Sequence, residues 1–210
     1  MVQAILDNRK SLTRRVMKPQ PKDGMYLAGC SPTTGDAHFT NVPLDKLHEW
    51  AGEHYFAKCP YPPGTILWVR ETWHNLMDDD GDNYVYKADG GWYVYLLSWK
   101  PSIHMPKDAA RLFLEVTDVR VERLQEITEE DAIAEGLACL TKDNGITYKY
   151  GIPDSDGLPG NDDHGWHWEE WCIAPRKAFN RLWDSINGKK HPWESNPYVW
   201  VYEFERVDKP

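Results

Sequence analysis

The sequence predicts an α+β domain in which strands dominate and three or four helices flank them, and three stretches carry that prediction. Tyr198, Trp200, Tyr202 and Phe204 alternate with Val199 and Val201, a period-two ladder that is apolar on both faces, as expected of a buried strand. Ile66 to Trp73 reads as a second strand, launched by the turn signal Pro62-Pro63-Gly64. Phe179, Leu182, Trp183 and Ile186 fall at i, i+3, i+4 and i+7 ahead of Asn187-Gly188, the pattern of an amphipathic helix with a stop behind it.

The other elements follow in chain order. Val2, Ile5 and Leu6 open a short helix running to about Asn8, and Thr13 to Met17 is extended. Lys18-Pro19-Gln20-Pro21 ends regular structure, and residues 19 to 60 read as a loop-rich insertion in which only Leu44 to Trp50 is helical. Tyr84 to Ala88 and Trp92 to Leu97 suggest a hairpin around Asp89-Gly90-Gly91. Leu112, Leu114 and Val116 alternate, but the next apolar positions are Val119 and Val121, so a bulge is expected near Thr117-Asp118. Thr128 is a hydroxyl N-cap with Asp131 three positions on, starting a helix that Gly136 ends. Residues 138 to 175, rich in acids and glycines, read as a second loop-rich insertion. A chain of 210 residues fits one domain spanning 1–210.

Composition narrows the function classes. The net charge is −9 and the pI about 5.3, which excludes a generally basic protein that coats nucleic acid by phosphate neutralisation. Eleven Trp and eleven Tyr exceed what packing needs, so some rings are available to stack on a base. The four cysteines form no Cys-x-x-Cys pair, and no signal peptide or long apolar run is visible, which reads as a reduced cytoplasmic protein with no membrane partner. Neither a metal nor another cofactor is expected. His164-Gly165-Trp166-His167 lacks a nearby third ligand, and in Asp78-Asp79-Asp80-Gly81-Asp82 the glycine comes too early for a calcium loop.

Against this acidic background residues 1 to 22 carry +5, leaving −14 for the remainder. Arg9, Lys10, Arg14, Arg15, Lys18 and Lys22 face one acid, Asp7, and such clustering focuses positive potential where an anion is received. Nucleic acid is the natural candidate, although charge runs of this kind are more often solvated turns. Further along, Trp68 and Arg70 share one strand face and Glu71 and Trp73 the other, a mixture suited to a base-stacking wall or to core tryptophans with a rim ion pair. Ser102 to Pro106 is a turn-prone loop from which Ser102 and His104 can line the mouth of a site.

The order of Arg9-Lys10-Ser11-Leu12-Thr13-Arg14-Arg15, Gly64-Thr65-Ile66-Leu67-Trp68-Val69, Leu114-Glu115-Val116-Thr117 and Leu124 through Glu135 resembles the ASCH family of the PUA-like superfamily. Trp68 to Trp73 and Trp99 to Pro106 are similar to blocks of phage and prophage ASCH-like proteins. The resemblance implies a PUA-like mixed β-barrel of about five to seven strands with flanking helices. Family members usually have a short apolar strand before the first helix; the sequence starts at Met1 without it, so the resemblance leads one to expect a barrel edge that is missing or replaced.

The resemblance also implies a chemistry. The bacterial 4-acetylcytidine amidohydrolases of the family use a lysine, a threonine three positions later and a glutamate on a later helix, and Lys10, Thr13 and Glu135 fall on those positions. Amide hydrolysis would then use Thr13 as nucleophile, Lys10 as its base and Glu135 to protonate or position the leaving amine, with Arg9, Arg14 and Arg15 supplying the field. Residues three apart on a strand point to opposite faces, so Lys10 and Thr13 converge only if the chain bends between Asn8 and Leu12. The expected partner is a nucleoside or single-stranded nucleic acid, RNA before DNA. Two alternatives stand beside the hydrolase: a noncatalytic module that binds RNA or a modified base, and a phage structural or host-interaction protein.

Overall fold

The computed structural model describes residues 2–49, 52–78, 81–90, 97–154, 156–160 and 165–210. Its centre is a curled antiparallel sheet, a half-barrel, with few helices, so the protein is of mixed α+β class. Four strands form it in the order β1 (Leu12–Val16), β11 (Tyr198–Val207), β8 (Phe113–Arg123) and β5 (Ile66–Trp68). The two long, apolar strands β11 and β8 lie inside, and the short ones form the edges.

Each face of this sheet is covered differently. Val199 and Val201 of β11 and Leu12 of β1 turn to a layer built from α2 (Glu129–Ala134) and α3 (Pro175–Asn187), which contributes Phe179, Leu182 and Trp183. Tyr198, Trp200 and Tyr202 turn the other way, onto Met17 and Phe39. Phe39 belongs to a second sheet of β2 (Tyr26–Cys30), β3 (Ala37–Thr40) and β4 (His54–Ala57). Residues 19 to 60 therefore hold a three-stranded sheet where the sequence suggested mostly loop. Its short strands carry interrupted apolar patterns, and burial against the aromatic ladder stabilises them more than local propensity does.

The expected phase slip is present. Glu203 pairs with Asp118 and Phe204 with Val116, leaving Thr117 unpaired as a bulge. Beyond it Phe204 joins a separate small core with Ile5, Leu112 and Leu114, under α1 (Val2–Leu6).

Two expectations are corrected. The strand expected over Ile66 to Trp73 ends at Trp68, because Glu71 turns inward to meet Arg111 and its backbone N–H reaches Met105 Sδ at 3.0 Å. Trp73 then starts β6 (Trp73–Asp78), which pairs with β7 (Gly81–Tyr86), so Tyr84 and its neighbours partner an earlier strand than expected. Of the other arm of the expected hairpin, Trp92 to Leu97, residues 92–96 lie outside the described residues; the helix expected over Leu44 to Trp50 is present as Leu44–Glu49, and Trp50 also lies outside the described residues. The second insertion contains the hairpin β9 (Ala138–Thr141) and β10 (Tyr148–Gly151). Among the described residues no helix is long and apolar enough to cross a membrane.

Candidate functional site

The basic segment owes its shape to Asn8. Its φ of 56° ends α1 and turns the chain, while the N–H groups of Arg9 and Lys10 both bond to Ala4 O. Lys10 then bridges to Glu135 just beyond α2, and β1 begins at Leu12. The register of β1 follows from Phe204 N bonding to Ser11 O and Met17 N to Tyr198 O. Odd-numbered residues thus bond to β11, and the carbonyl of Leu12 points out along the free edge.

Lys10 caps that carbonyl. Its ammonium donates to Leu12 O at 2.7 Å, to Glu135 O at 2.8 Å and to Glu135 Oε2 at 2.6 Å. Both side chains are buried, only 4% exposed. Burial pushes the Lys10 ammonium below its ordinary value of 10.5, Glu135 opposes the shift, and Arg15 and Arg14 reinforce it. Three acceptors match the three N–H donors, so the charged form is fully satisfied.

Glu135 is positioned from two directions. Thr128 caps α2 by accepting from Asp131 N at 3.1 Å, and Gly136, with φ of 103°, ends it. A Cβ at Gly136 would stand 2.9 Å from Ala4 Cβ and 3.1 Å from Lys10 Cβ, so the close approach of Lys10 to α2 requires glycine there. Arg14 lies on the opposite side, with no side-chain exposure. It donates to Glu122 at 3.0 and 2.5 Å and to Asp131 at 2.6 Å, and its NH1 faces Glu135 Oε1 at 3.6 Å. Arg120 closes the network onto Asp131, Glu122 and Glu203.

The cationic cluster is accordingly partitioned. Lys10 and Arg14 are interior groups neutralised by acids at α2 and β8, and what remains at the surface is Arg15, Lys18, Lys22 and the half-buried Arg9. Arg9 donates to Gly136 O at 2.8 Å and pairs with Asp7 at 2.9 Å. A groove beside the network is lined by Glu130, Asp131, Glu203 and Glu205 together with Ser11 and Phe204, so its wall is acidic.

Thr13 stands on the other face of β1. It pairs across the strands with Tyr202, and its hydroxyl accepts from Arg15 NH1 at 2.9 Å. The structure thus brings Lys10 and Glu135 into contact and places the Lys10 ammonium on the carbonyl immediately before Thr13, but the bend does not make Lys10 and Thr13 converge: the Thr13 side chain lies on the other face of β1, where Arg15 holds its hydroxyl.

The second group of candidates divides too. Arg70 stacks on Trp68 at 4.8 Å and donates to Ile103 O at 3.2 Å, which joins it to the single 3-10 turn Ser102–His104. Trp68 is half-buried and His104 exposed, so the candidates Trp68, Arg70, Ser102 and His104 share one surface patch. Glu71 and Trp73 are interior: Glu71 is clasped by Arg111 at 3.0 and 2.8 Å, and Trp73 is buried with Lys100 Nζ 4.8 Å from its ring. Strands β11 and β8 separate this patch from β1. Among the described residues no group of three or more His, Cys, Asp and Glu side chains is placed to hold a metal ion.

Asp131, Glu122 and Arg120 complete the site and were not among the candidate site residues read from the sequence, where Asp131 served only as the acid of a helix start. Asp131 was within reach, since it lies one helical turn before Glu135. Glu122 and Arg120 depend on the register of β8 after its bulge, which composition does not reveal. No family model, curated protein or solved structure matches the chain.

Proposed function

We propose that the chain is an ASCH-like amidohydrolase with a PUA-like barrel, acting in the cytoplasm on an acylated nucleoside or base of the 4-acetylcytidine type, free or within single-stranded RNA. The observation that carries the reading is the buried Lys10–Glu135 pair, fixed at 2.6 Å and seated one peptide from Thr13. A buried ion pair stabilises a fold no better than apolar packing does, and strongly perturbed lysines concentrate at functional sites.

In this reading Thr13 Oγ1 attacks the acyl carbonyl, and the guanidinium of Arg15 stabilises negative charge on that oxygen as its proton leaves. Thr13 Oγ1 and the Lys10 ammonium stand on different faces of β1, so this reading requires substrate to draw the ammonium off Leu12 O and around the free edge of β1, where Lys10, having passed one of its own protons to Glu135, takes the Thr13 proton. Glu135 gives the proton received from Lys10 to the exocyclic nitrogen as the C–N bond breaks. Water then cleaves the Thr13 ester, releasing the carboxylic acid and restoring the hydroxyl.

The test is turnover of 4-acetylcytidine to cytidine and acetate by the parent, by Thr13→Val and by Lys10→Ala. Thr13→Val keeps the shape and removes the hydroxyl. It is expected to lose turnover while melting as the parent does, and a parent no faster than Thr13→Val overturns the proposal.

A second reading, a noncatalytic module for RNA or a modified base, rests on the Trp68–Arg70 stack. A guanidinium lying on a half-buried indole beside an exposed histidine is a surface on which a base can stack without any chemistry.

A further inference from the structure

The face of β1 that carries Thr13 has an aromatic wall whose outer member has no role in the mechanism above. Tyr202 is directly across from Thr13 and is buried, and the ring of Tyr61 meets it edge-on with centroids 5.7 Å apart. Tyr61 is 45% exposed. Arg15 lies on the same face two residues from Thr13, close enough for its charge to act on the Tyr202 phenol.

The backbone around Tyr61 is unusually constrained for a surface loop. Pro60, Pro62 and Pro63 flank it, and each fixes its own φ. The following turn is clamped: Thr65 N and Oγ1 both bond to Pro62 O, at 3.1 and 2.6 Å, and Gly64 N bonds to Val116 O of β8 at 2.7 Å. An exposed aromatic side chain on a rigid loop loses little entropy when a flat ligand stacks on it.

We propose that Tyr61 is the stacking residue of a nucleobase-binding site on this face, holding a pyrimidine beside Arg15 with its exocyclic substituent toward Thr13. The proposal rests on the acyl-transfer reading for the orientation of the base, but not for binding itself. Arg15 stays within hydrogen-bonding reach of Thr13, so the base stacks at the outer end of the wall and the acyl group occupies the inner end.

The experiment is calorimetric titration of cytidine and 4-acetylcytidine into the Thr13→Val protein, with Tyr61 intact and as Tyr61→Phe or Tyr61→Ala. Loss of one base-stacking contact is expected to weaken binding roughly ten- to hundredfold in Tyr61→Ala, while Tyr61→Phe binds like the parent. Equal affinity in Tyr61→Ala, or absence of binding by the protein with Tyr61 intact, overturns the proposal. Turnover by the otherwise unaltered chain separates the two ideas. Weakened binding in Tyr61→Ala without any parental turnover sustains the base site and removes the hydrolase. Parental turnover with an unchanged KM in Tyr61→Ala does the reverse.

Discussion

Lys10 and Arg14 approach the carboxylate of Glu135 at different oxygens, Lys10 Nζ at 2.6 Å from Oε2 and Arg14 NH1 at 3.6 Å from Oε1. One buried anion therefore serves two buried cations that come from opposite ends of the same short segment. This ties the position of α2 to the bend before β1.

Glu135→Gln is expected to destabilise the fold by about 3–5 kcal/mol, because it leaves the Lys10 ammonium buried without a counter-charge. A double variant, Lys10→Met with Glu135→Leu, removes both charges and is expected to lose much less. Urea denaturation of the parent, the single and the double variant reads the difference. A double variant as unstable as the single one would show that the pair contributes more than mutual neutralisation.

Gly136→Ala places a methyl group against Ala4 and Lys10 at a residue with φ of 103°. About 1–3 kcal/mol of stability should be lost to backbone strain alone, with more from the contact. The same change displaces Lys10 from Glu135, so turnover of 4-acetylcytidine is expected to fall further than thermal stability accounts for. Melting and initial rates measured on one preparation check both.

Alkaline pH is expected to weaken the fold through its buried phenols. Burial raises Tyr202 and Tyr86 above their ordinary value of 10.0. The unfolded chain therefore ionises first, and the stability these groups confer is fully present below pH 10 and lost as pH rises beyond it. Tyr202→Phe should flatten the fall in stability between pH 10 and 11 (about one unit above the ordinary value) relative to the parent. An unaltered pH profile would mean that the Tyr202 phenol ionises as readily in the folded chain as in the unfolded one.

Trp68→Ala should separate the two functional readings. If single-stranded RNA is held on the Trp68–Arg70 patch, removing one stacking platform is expected to weaken binding by about 1–3 kcal/mol. Cytidine release from 4-acetylcytidine should be unchanged, because two strands lie between that patch and Thr13. Fluorescence polarisation with a labelled oligonucleotide and the turnover assay give the two readouts.

The strands and helices with unbroken periodicity were legible in the sequence. Tyr198 to Phe204, Phe179 to Ile186, the Thr128 cap and the slip at Thr117 each follow from local pattern, and tertiary packing agrees with it. The three-stranded sheet within residues 19 to 60 was not legible, because burial against Tyr198 and Trp200 stabilises it. At the candidate site the bend at Asn8 and the meeting of Lys10 with Glu135 follow from spacing and resemblance. The burial of Arg14 does not, since its partners Glu122 and Asp131 are more than a hundred residues away in sequence. Tyr61 carries no periodic signal at all, being a lone ring among prolines.

The bulge at Thr117 falls where β11 passes from one apolar core to another. Tyr202 packs in the core under β2 to β4 and Phe204 in the core under α1, so the two ends of one continuous strand answer to different neighbours. Substitutions in the Ile5, Leu114 and Phe204 cluster should add nearly independently to those around Met17, Phe39 and Trp200. The core under α1 and the core under the aromatic ladder can thus vary in sequence as separate units along one strand.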